Sequence, residues 1–252
     1  MRIVDNANMR RVVAEFAAEP NQRRSFEVLR TCMYGELLLD VTGSELRDGN
    51  PFSAGSQLNI RCGTGPDGGR ALFAFTSNEQ IGRMYPPNTQ TQSLVNPATG
   101  ILGLARQQGD AWLYIDPAGP TCAVSAAEID FALRNPNNEP LKAALAALHD
   151  GLTDRRSVVQ MLRQDAPLCL AADDQTVPGK IGIRSMTMPD GSSALLGFTS
   201  APEVVAYNPS DAAAALTTFQ VLDKVRTDGY SGIVINPAGP SIAIPLSELA
   251  AP

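Results

Sequence analysis

The sequence predicts an α+β protein built from two similar tandem domains, residues 1–134 and 135–252, each with a mainly antiparallel sheet and helices packed on one face. Two observations support this prediction. Long segments of the first half recur in the same order in the second half. Within each copy, helical apolar spacing comes first, and alternating apolar and polar residues then flank turn signals, which is typical of paired strands.

The repeat is the strongest signal in the chain. Residues 60–77 and 183–200 match without a gap at eleven of eighteen positions, and residues 114–124 match 234–244 in the same way. A period of more than 100 residues is too long for a solenoid unit and indicates two domains. The junction reads NPNNEP at 135–140, a composition typical of a short linker.

The copies differ most over residues 43–56, where the first carries GSELRDGNPFSAGS and the second has far fewer residues. Insertions of this kind are tolerated in surface loops. We therefore expect a loop insertion in the first domain.

Helices are expected at the start of each copy, because apolar residues recur at helical spacing over 9–16 and again over 141–148. The second of these helices is expected to end at Gly151, which places the single histidine, His149, in its last turn. A cation there interacts favourably with the helix dipole, so we interpret His149 as a structural residue.

Strands follow the helices. Alternation over 58–62 and 181–185 predicts strands with one exposed face, and Pro-Asp-Gly at 66–68 and 189–191 predicts the hairpin turn after each. Further along, Asp-Pro-Ala-Gly at 116–119 and its counterpart, which begins at Asn236, favour type I turns between two more strands.

Each hairpin leads into Phe-Thr-Ser, and the serine is followed three residues later by Gln80 or Glu203. This spacing predicts a capping box at Ser77 and at Ser200, where the strand gives way to a helix. The alternative, a nucleophilic hydroxyl at a strand–helix turn, lacks both the flanking glycines of a nucleophile elbow and a nearby histidine.

Charge and hydropathy exclude several classes of partner. The net charge is -6, which disfavours nucleic acid and anionic membranes, and no apolar stretch approaches the roughly 20 residues of a membrane span. The first residues contain no signal-peptide core, so we expect a cytoplasmic protein.

No cofactor or metal site is predicted, and no catalytic residue is assigned. With one histidine and four widely spaced cysteines, the sequence lacks the clustered ligands of a zinc or iron–sulfur centre. The glycines at 63–65 lie between two predicted strands and do not open a helix, so they do not form a phosphate loop. We expect the four cysteines to be buried free thiols.

Two duplicated arginines are the candidate site residues. Alternation places Arg61 and Arg184 on the more polar face of their strands. They are either solvated arginines in weak surface ion pairs or contacts for an anion or a partner.

Taken together, these motifs resemble the N-terminal domain of the enhanced serine sensitivity protein SseB. The resemblance rests on the paired amino-terminal helices, the Leu-rich strands at 37–39 and 168–170, Asp-Gly followed by Phe-Thr-Ser, and the late Asp/Asn-Pro-Ala-Gly. Two copies of the domain together account for nearly the whole chain, although the first copy has Asp116 where asparagine is expected. It implies an α+β fold and a cytoplasmic bacterial protein, and it supplies no catalytic residues.

The expected function is that of a non-catalytic, cytoplasmic protein-binding or regulatory module, because every repeated motif is explained as a turn, cap or strand. Its partner would be a protein, and homo-oligomerisation is left open. One alternative is a sensor that binds a small anionic metabolite between the domains near Arg61 or Arg184. A further alternative, ranked behind both, is a serine or cysteine hydrolase.

Overall fold

The chain divides into two compact units, Met1–Leu133 and Arg134–Pro252, which we call the first and second domains. This computed structural model describes residues 4–45, 53, 55, 57–173 and 181–250, which form ten helices and thirteen strands. The sequence repeat predicts a boundary after residue 134, one residue further on. The same order of elements runs through both domains, with one additional two-residue strand in the second.

The first domain begins with a helical pair, which is followed by six strands and three further helices. Its elements are α1 (Ala7–Ala18), α2 (Gln22–Thr31), β1 (Glu36–Asp40), β2 (Cys62–Thr64), β3 (Arg70–Ala74), α3 (Asn78–Gly82), β4 (Ser93–Pro97), α4 (Ala98–Gln107), β5 (Trp112–Ile115), β6 (Cys122–Ser125) and α5 (Ala126–Arg134).

The second domain repeats this order. Its elements are α6 (Glu139–His149), α7 (Arg155–Leu162), β7 (Pro167–Asp173), β8 (Gly182–Ile183), β9 (Ser185–Thr187), β10 (Ser193–Gly197), α8 (Ala201–Tyr207), β11 (Ala212–Thr217), α9 (Thr218–Thr227), β12 (Gly232–Ile235), β13 (Ile242–Pro245) and α10 (Leu246–Ala250).

Each domain contains a four-stranded sheet with a parallel pair at its centre. The strand orders are β2-β3-β5-β6 and β9-β10-β12-β13. The outer pairs are antiparallel, whereas β3 runs parallel to β5, and β10 to β12. The mostly antiparallel pairing confirms the predicted fold class. The central pair is parallel because the chain crosses over through a helix, a strand and a second helix before it returns to the sheet.

A second, smaller sheet lies beside each four-stranded sheet. It pairs β1 with β4 in the first domain and has the order β11-β7-β8 in the second, with antiparallel neighbours throughout. One bridge links the two sheets of each domain, Leu38 to Phe75 and Cys169 to Phe198. Both bridges fall directly before the repeated Thr-Ser, so this motif is fixed where the two sheets meet.

Four helices cover one face of each four-stranded sheet. In the first domain α1, α2, α4 and α5 bury apolar residues together with Leu72 and Leu113. In the second, α6, α7, α9 and α10 do so with the equivalent Leu195 and Ile233. Each fully buried side chain of this kind contributes about 1.5–3 kcal/mol to folding. The short helices α3 and α8 belong instead to smaller clusters on the opposite face.

The predicted hairpin turns and the predicted end of helix α6 are confirmed. Each depends on the backbone conformation of a few consecutive residues. Gly68 and Gly191 take φ of +85° and +81°, the left-handed conformation that glycine tolerates best, within the predicted hairpins. Helix α6 ends in a Schellman motif, in which the Gly151 N–H donates to the Leu148 carbonyl at 3.1 Å and the Leu152 N–H to the Ala147 carbonyl at 2.8 Å.

The predicted insertion at 43–56 lies largely outside the described residues. Its base is described: Glu45 and Gln57 exchange two backbone hydrogen bonds, of 3.0 and 2.9 Å. These two bonds hold the two ends of the insertion together before the chain enters β2.

Candidate functional site

The repeated threonine is tied to the repeated Asp/Asn-Pro-Ala-Gly turn in both domains. In the first, the Asp116 carboxylate accepts the Thr76 N–H at 2.9 Å and the Thr76 hydroxyl at 2.7 Å. In the second, the Asn236 side chain accepts the Thr199 N–H at 2.9 Å and donates to the Thr199 hydroxyl at 2.9 Å. The repeated motif therefore cross-links two segments about 40 residues apart and is a structural element.

This link explains why each copy carries aspartate or asparagine at the turn. Asp116 and Asn236 have φ of +54° and +49°, a conformation in which these two residue types are several-fold enriched among non-glycine residues. Both side chains are buried. Burial raises the pKa of the Asp116 carboxyl, while the two hydrogen bonds from Thr76 act in the opposite direction.

The ionic groups around the threonine are rearranged between the domains. In the first, Arg10 donates to the Thr76 hydroxyl at 3.3 Å and forms an ion pair with Asp5 at 2.6 Å. In the second, Lys142 forms an ion pair with Glu203 at 2.6 Å, with side-chain exposures of only 4% and 0%. The second domain thus has a neutral turn residue, and a buried carboxylate of α8, Glu203, pairs with Lys142.

The two serines differ, and the predicted capping box is wrong at Ser200. Ser77 accepts the Gln80 N–H at 3.4 Å and caps α3, but the Gln80 side-chain oxygen has no hydrogen-bond partner among the described residues, so only half of the predicted box forms there. Ser200 makes no capping hydrogen bond, and its hydroxyl is buried without a hydrogen-bond partner. The cap is missing because the Glu203 N–H donates to the Ser200 carbonyl at 3.2 Å, and the reciprocal half of the box is missing because the Glu203 carboxylate binds Lys142. As a nucleophile Ser200 is disfavoured, because only 1% of the residue is exposed.

Arg61 lies at the junction of the two sheets of the first domain. Its backbone N–H donates to the Asp40 backbone carbonyl at 2.9 Å, and its guanidinium lies 4.7 Å from the centre of the Tyr85 ring. The Tyr85 hydroxyl donates to the buried Asp40 carboxylate at 2.7 Å. Among the described residues no carboxylate lies within ion-pair distance of the Arg61 guanidinium. Its hydrogen-bond donors are thus available to another group.

Arg184 occupies the equivalent position in the second domain but is neutralised there. Its guanidinium binds both oxygens of the buried Asp211 carboxylate, at 2.7–3.2 Å, and forms a second ion pair with Asp173 at 3.1 Å. The hydrogen bonds to Asp211 raise the pKa of Arg184 further above its ordinary value. With two carboxylates in contact, this arginine is poorly suited to an anionic ligand.

Three of the four cysteines are buried, and all four are free thiols. Burial raises the pKa of Cys122, and it raises that of Cys169 to about 11. The sequence alone does not reveal the environment of the half-buried Cys62, whose sulfur accepts a hydrogen bond from Arg70 at 3.2 Å. In the part of the chain that is described, no cluster of three His, Cys, Asp or Glu side chains is placed to bind a metal ion.

In the first domain, an aromatic surface lies on the sheet face away from its four core helices. We call Phe73, Trp112 and Tyr114 the ring face; all three side chains are partly exposed. Phe73 and Tyr114 meet edge to face with ring centres 5.9 Å apart. The Trp112 ring lies against Gly65, where an added Cβ would come within 2.1 Å of the ring. Its N–H donates to the Asp67 carboxylate at 2.7 Å.

The same face of the second domain carries a pocket instead of a ring. In the alignment of the two domains, Gly232 corresponds to Trp112, and Met188 corresponds to Gly65. Around this glycine lies a pocket of about 380 Å³, which we call the Gly232 pocket. It is lined by residues of the β9–β10 hairpin, β12 and β13, among them Met188, Asp190, Ala194 and Ala243.

Family membership follows from the repeated architecture together with a direct comparison. The model of the SseB protein N-terminal domain matches residues 9–130 and, again, residues 141–251. The chain belongs to the SseB family. Its two SseB domains cover almost the whole sequence, which confirms the predicted tandem arrangement. No curated protein and no solved structure gave a significant match to the chain.

The features that distinguish the two SseB domains are those that sequence reasoning missed. The Trp112-to-Gly232 and Gly65-to-Met188 differences are visible when the copies are aligned. The sequence does not show that these positions lie close together, because β2 and β5 both pair with β3 and are brought together only by the strand order of the sheet. In addition, no helix in the described parts of the chain is long and apolar enough to cross a membrane.

Proposed function

We propose that this SseB-family chain is a non-catalytic protein-binding module, acting as an adaptor or regulator in the cytoplasm. In this proposal its partner is a protein, and neither nucleic acid nor a membrane. The observation that supports it best is the ring face. Partly exposed tryptophan, tyrosine and phenylalanine side chains are over-represented in protein interfaces, where tryptophan and tyrosine often dominate the binding energy.

The state of the reactive side chains supports a non-catalytic role. Among the described residues, Ser77 caps a helix, Ser200 is buried, and three of the four thiols are buried. His149 is exposed at the end of α6, within a helix-ending motif. A hydrolase would need a nucleophile and a base in contact within an accessible cleft.

Retention of proteins from extract on immobilised chain tests the proposal. Tyr114→Ala removes a ring from the ring face. Val95→Ala is the matched control, because Val95 is 38% exposed on β4, in the other sheet of the same domain. We expect the specific partner to be retained at least about tenfold less by the Tyr114 variant and equally by the control. Equal retention by a folded Tyr114 variant contradicts the proposal.

The alternative of an anionic metabolite sensor has one favourable observation, at Arg61, whose guanidinium forms no ion pair with a carboxylate in the described part of the chain. An equivalent anion site in the second domain is disfavoured, because Asp211 and Asp173 already bind Arg184. A thermal-shift screen with organic phosphates and dicarboxylates distinguishes the two functions. A ligand at 100 times its dissociation constant stabilises by about 2.7 kcal/mol, and Arg61→Ala, but not Arg184→Ala, should abolish the shift.

A further inference from the structure

The Gly232 pocket lies where the first domain places a tryptophan ring. In the first domain the Trp112 side chain extends from β5 over Gly65, and its N–H reaches the carboxylate of the β2–β3 turn. In the second domain the corresponding strands are β12 and β9, and the corresponding carboxylate belongs to Asp190, which lines the pocket. The first domain therefore shows which group this space accommodates.

The second domain cannot fill the space from the equivalent position. A Cβ atom on Gly232 would lie 2.3 Å from the Ile244 carbonyl oxygen, which is backbone and cannot rotate away. Met188 occupies part of the space that the glycine at position 65 leaves for the ring, but a pocket of about 380 Å³ remains. That volume lies within the range of about 300–1,000 Å³ that is usual for ligand pockets.

The pocket is chemically complementary to an indole. Its lining is mainly apolar, with Met188, Ala194 and Ala243 around the space and Asp190 at the exposed rim. Hydrogen bonds from the Ser192 N–H and hydroxyl lower the pKa of Asp190, so its carboxylate is charged at neutral pH. A methionine sulfur beside an aromatic ring is a favourable contact. A carboxylate also attracts the positive N–H edge of an indole.

We propose that the Gly232 pocket binds the side chain of a tryptophan supplied by the partner protein, in the way that the first domain holds its own Trp112. The inference rests on the proposed protein-binding function for the source of the ring. The pocket's preference for an indole rests on the comparison of the two domains and on the residues that line the pocket, and not on the proposed function.

Methyl NMR of Met188, Ala194 and Ala243 tests the pocket without any partner. The probe is N-acetyl-L-tryptophanamide, an uncharged mimic of tryptophan within a chain, and N-acetyl-L-leucinamide is the control ligand. We expect saturable shifts of these methyl groups with a dissociation constant of about a millimolar for the indole. The leucine analogue should shift them only weakly.

Ala243→Leu extends a side chain into the pocket and should weaken indole binding at least about tenfold. Ala215→Leu, at an exposed position on β11, is the matched control and should leave binding unchanged. If Ala243→Leu does not fold, Ala243→Val serves the same purpose with a smaller addition. Absence of saturable shifts, or binding unaffected by filling the pocket, overturns the inference.

Two further outcomes separate this inference from the proposed function. If free zwitterionic tryptophan binds more than about tenfold tighter than the amide, the pocket serves a metabolite and the polypeptide source is wrong. If the probe does not bind while Tyr114→Ala still abolishes partner retention, the indole pocket fails and the protein-binding function stands.

Discussion

Replacing Glu203 by glutamine tests how the buried ion pair contributes to the second domain. Lys142 and Glu203 lie 2.6 Å apart with exposures of 4% and 0%. Removing one member of a buried pair leaves an uncompensated charge and costs about 3–5 kcal/mol. Because glutamine retains an acceptor oxygen for the Lys142 ammonium, we expect a loss of about 3 kcal/mol, the lower end of that range.

The chain supplies a matched control for this change. Glu79 and Arg83 form an ion pair of 2.7 Å on the surface, with exposures of 76% and 45%. Glu79→Gln makes the same chemical change at nearly the same distance, and we expect a loss below about 0.5 kcal/mol, because exposed pairs contribute little. A double variant, Lys142→Met with Glu203→Leu, should recover most of the lost stability, since it removes both buried charges.

Domain-resolved measurement is essential, because the single tryptophan, Trp112, lies in the first domain. Its fluorescence follows only that domain in denaturant. Hydrogen exchange with mass spectrometry follows α6 and α8 and gives the free energy of opening of the second domain. Equal and small losses for Glu203→Gln and Glu79→Gln would refute the reasoning, as would a double variant no more stable than Glu203→Gln.

Three further predictions concern single side chains. Burial raises the pKa of Asp116, so its contribution to stability is complete below the unfolded pKa near 3.8 and declines as pH rises through the folded pKa. Stability measured against pH should therefore show Asp116→Asn gaining on the wild type as the pH rises from 3.5 to 7, and a constant difference would contradict this. Ser77→Ala should cost about 1 kcal/mol in denaturant unfolding through loss of a cap, whereas Ser200→Ala should cost nothing; equal losses would be the contrary result. In titration with a thiol reagent at pH 8, Cys62 should react quickly, whereas Cys169, with a pKa of about 11, should react only after unfolding.

Motifs that act through the backbone could be predicted from the sequence. Pro-Asp-Gly specifies its hairpin, and Gly151 ends α6, because the dihedral angles of a few consecutive residues determine each structure. The repeat likewise predicts two α+β domains, because equal spacing of such signals gives an equal order of elements.

Features that depend on distant partners could not be predicted. Ser200 fits the capping-box spacing, yet its partner Glu203 is drawn to Lys142, which lies 61 positions away. Arg184 has the same sequence context as Arg61, but Asp211, 27 positions away, determines its role. Only the three-dimensional arrangement of the strands indicates which side chains meet.

The difference between the two sheet faces could be predicted from the sequence only in part. Alternation shows that Trp112 and Gly232 stand on the same face of equivalent strands. The parallel pairing that places Trp112 opposite Ala71, and Gly232 opposite Ala194, emerges only from the crossover topology. The pocket is therefore a consequence of topology acting on a substitution that is visible in the sequence.

Hydroxyl-radical footprinting of the chain, first purified and then in cell extract, tests most directly whether the two sheet faces are the binding surfaces. The labelled side chains to follow are Trp112, Tyr114 and Met188, with Leu152, which is 80% exposed beyond the end of α6, as the reference. We predict that extract protects the first three while Leu152 is labelled as before. Unchanged labelling of the three, with protection confined to the helical side, would contradict the proposed role of the two faces.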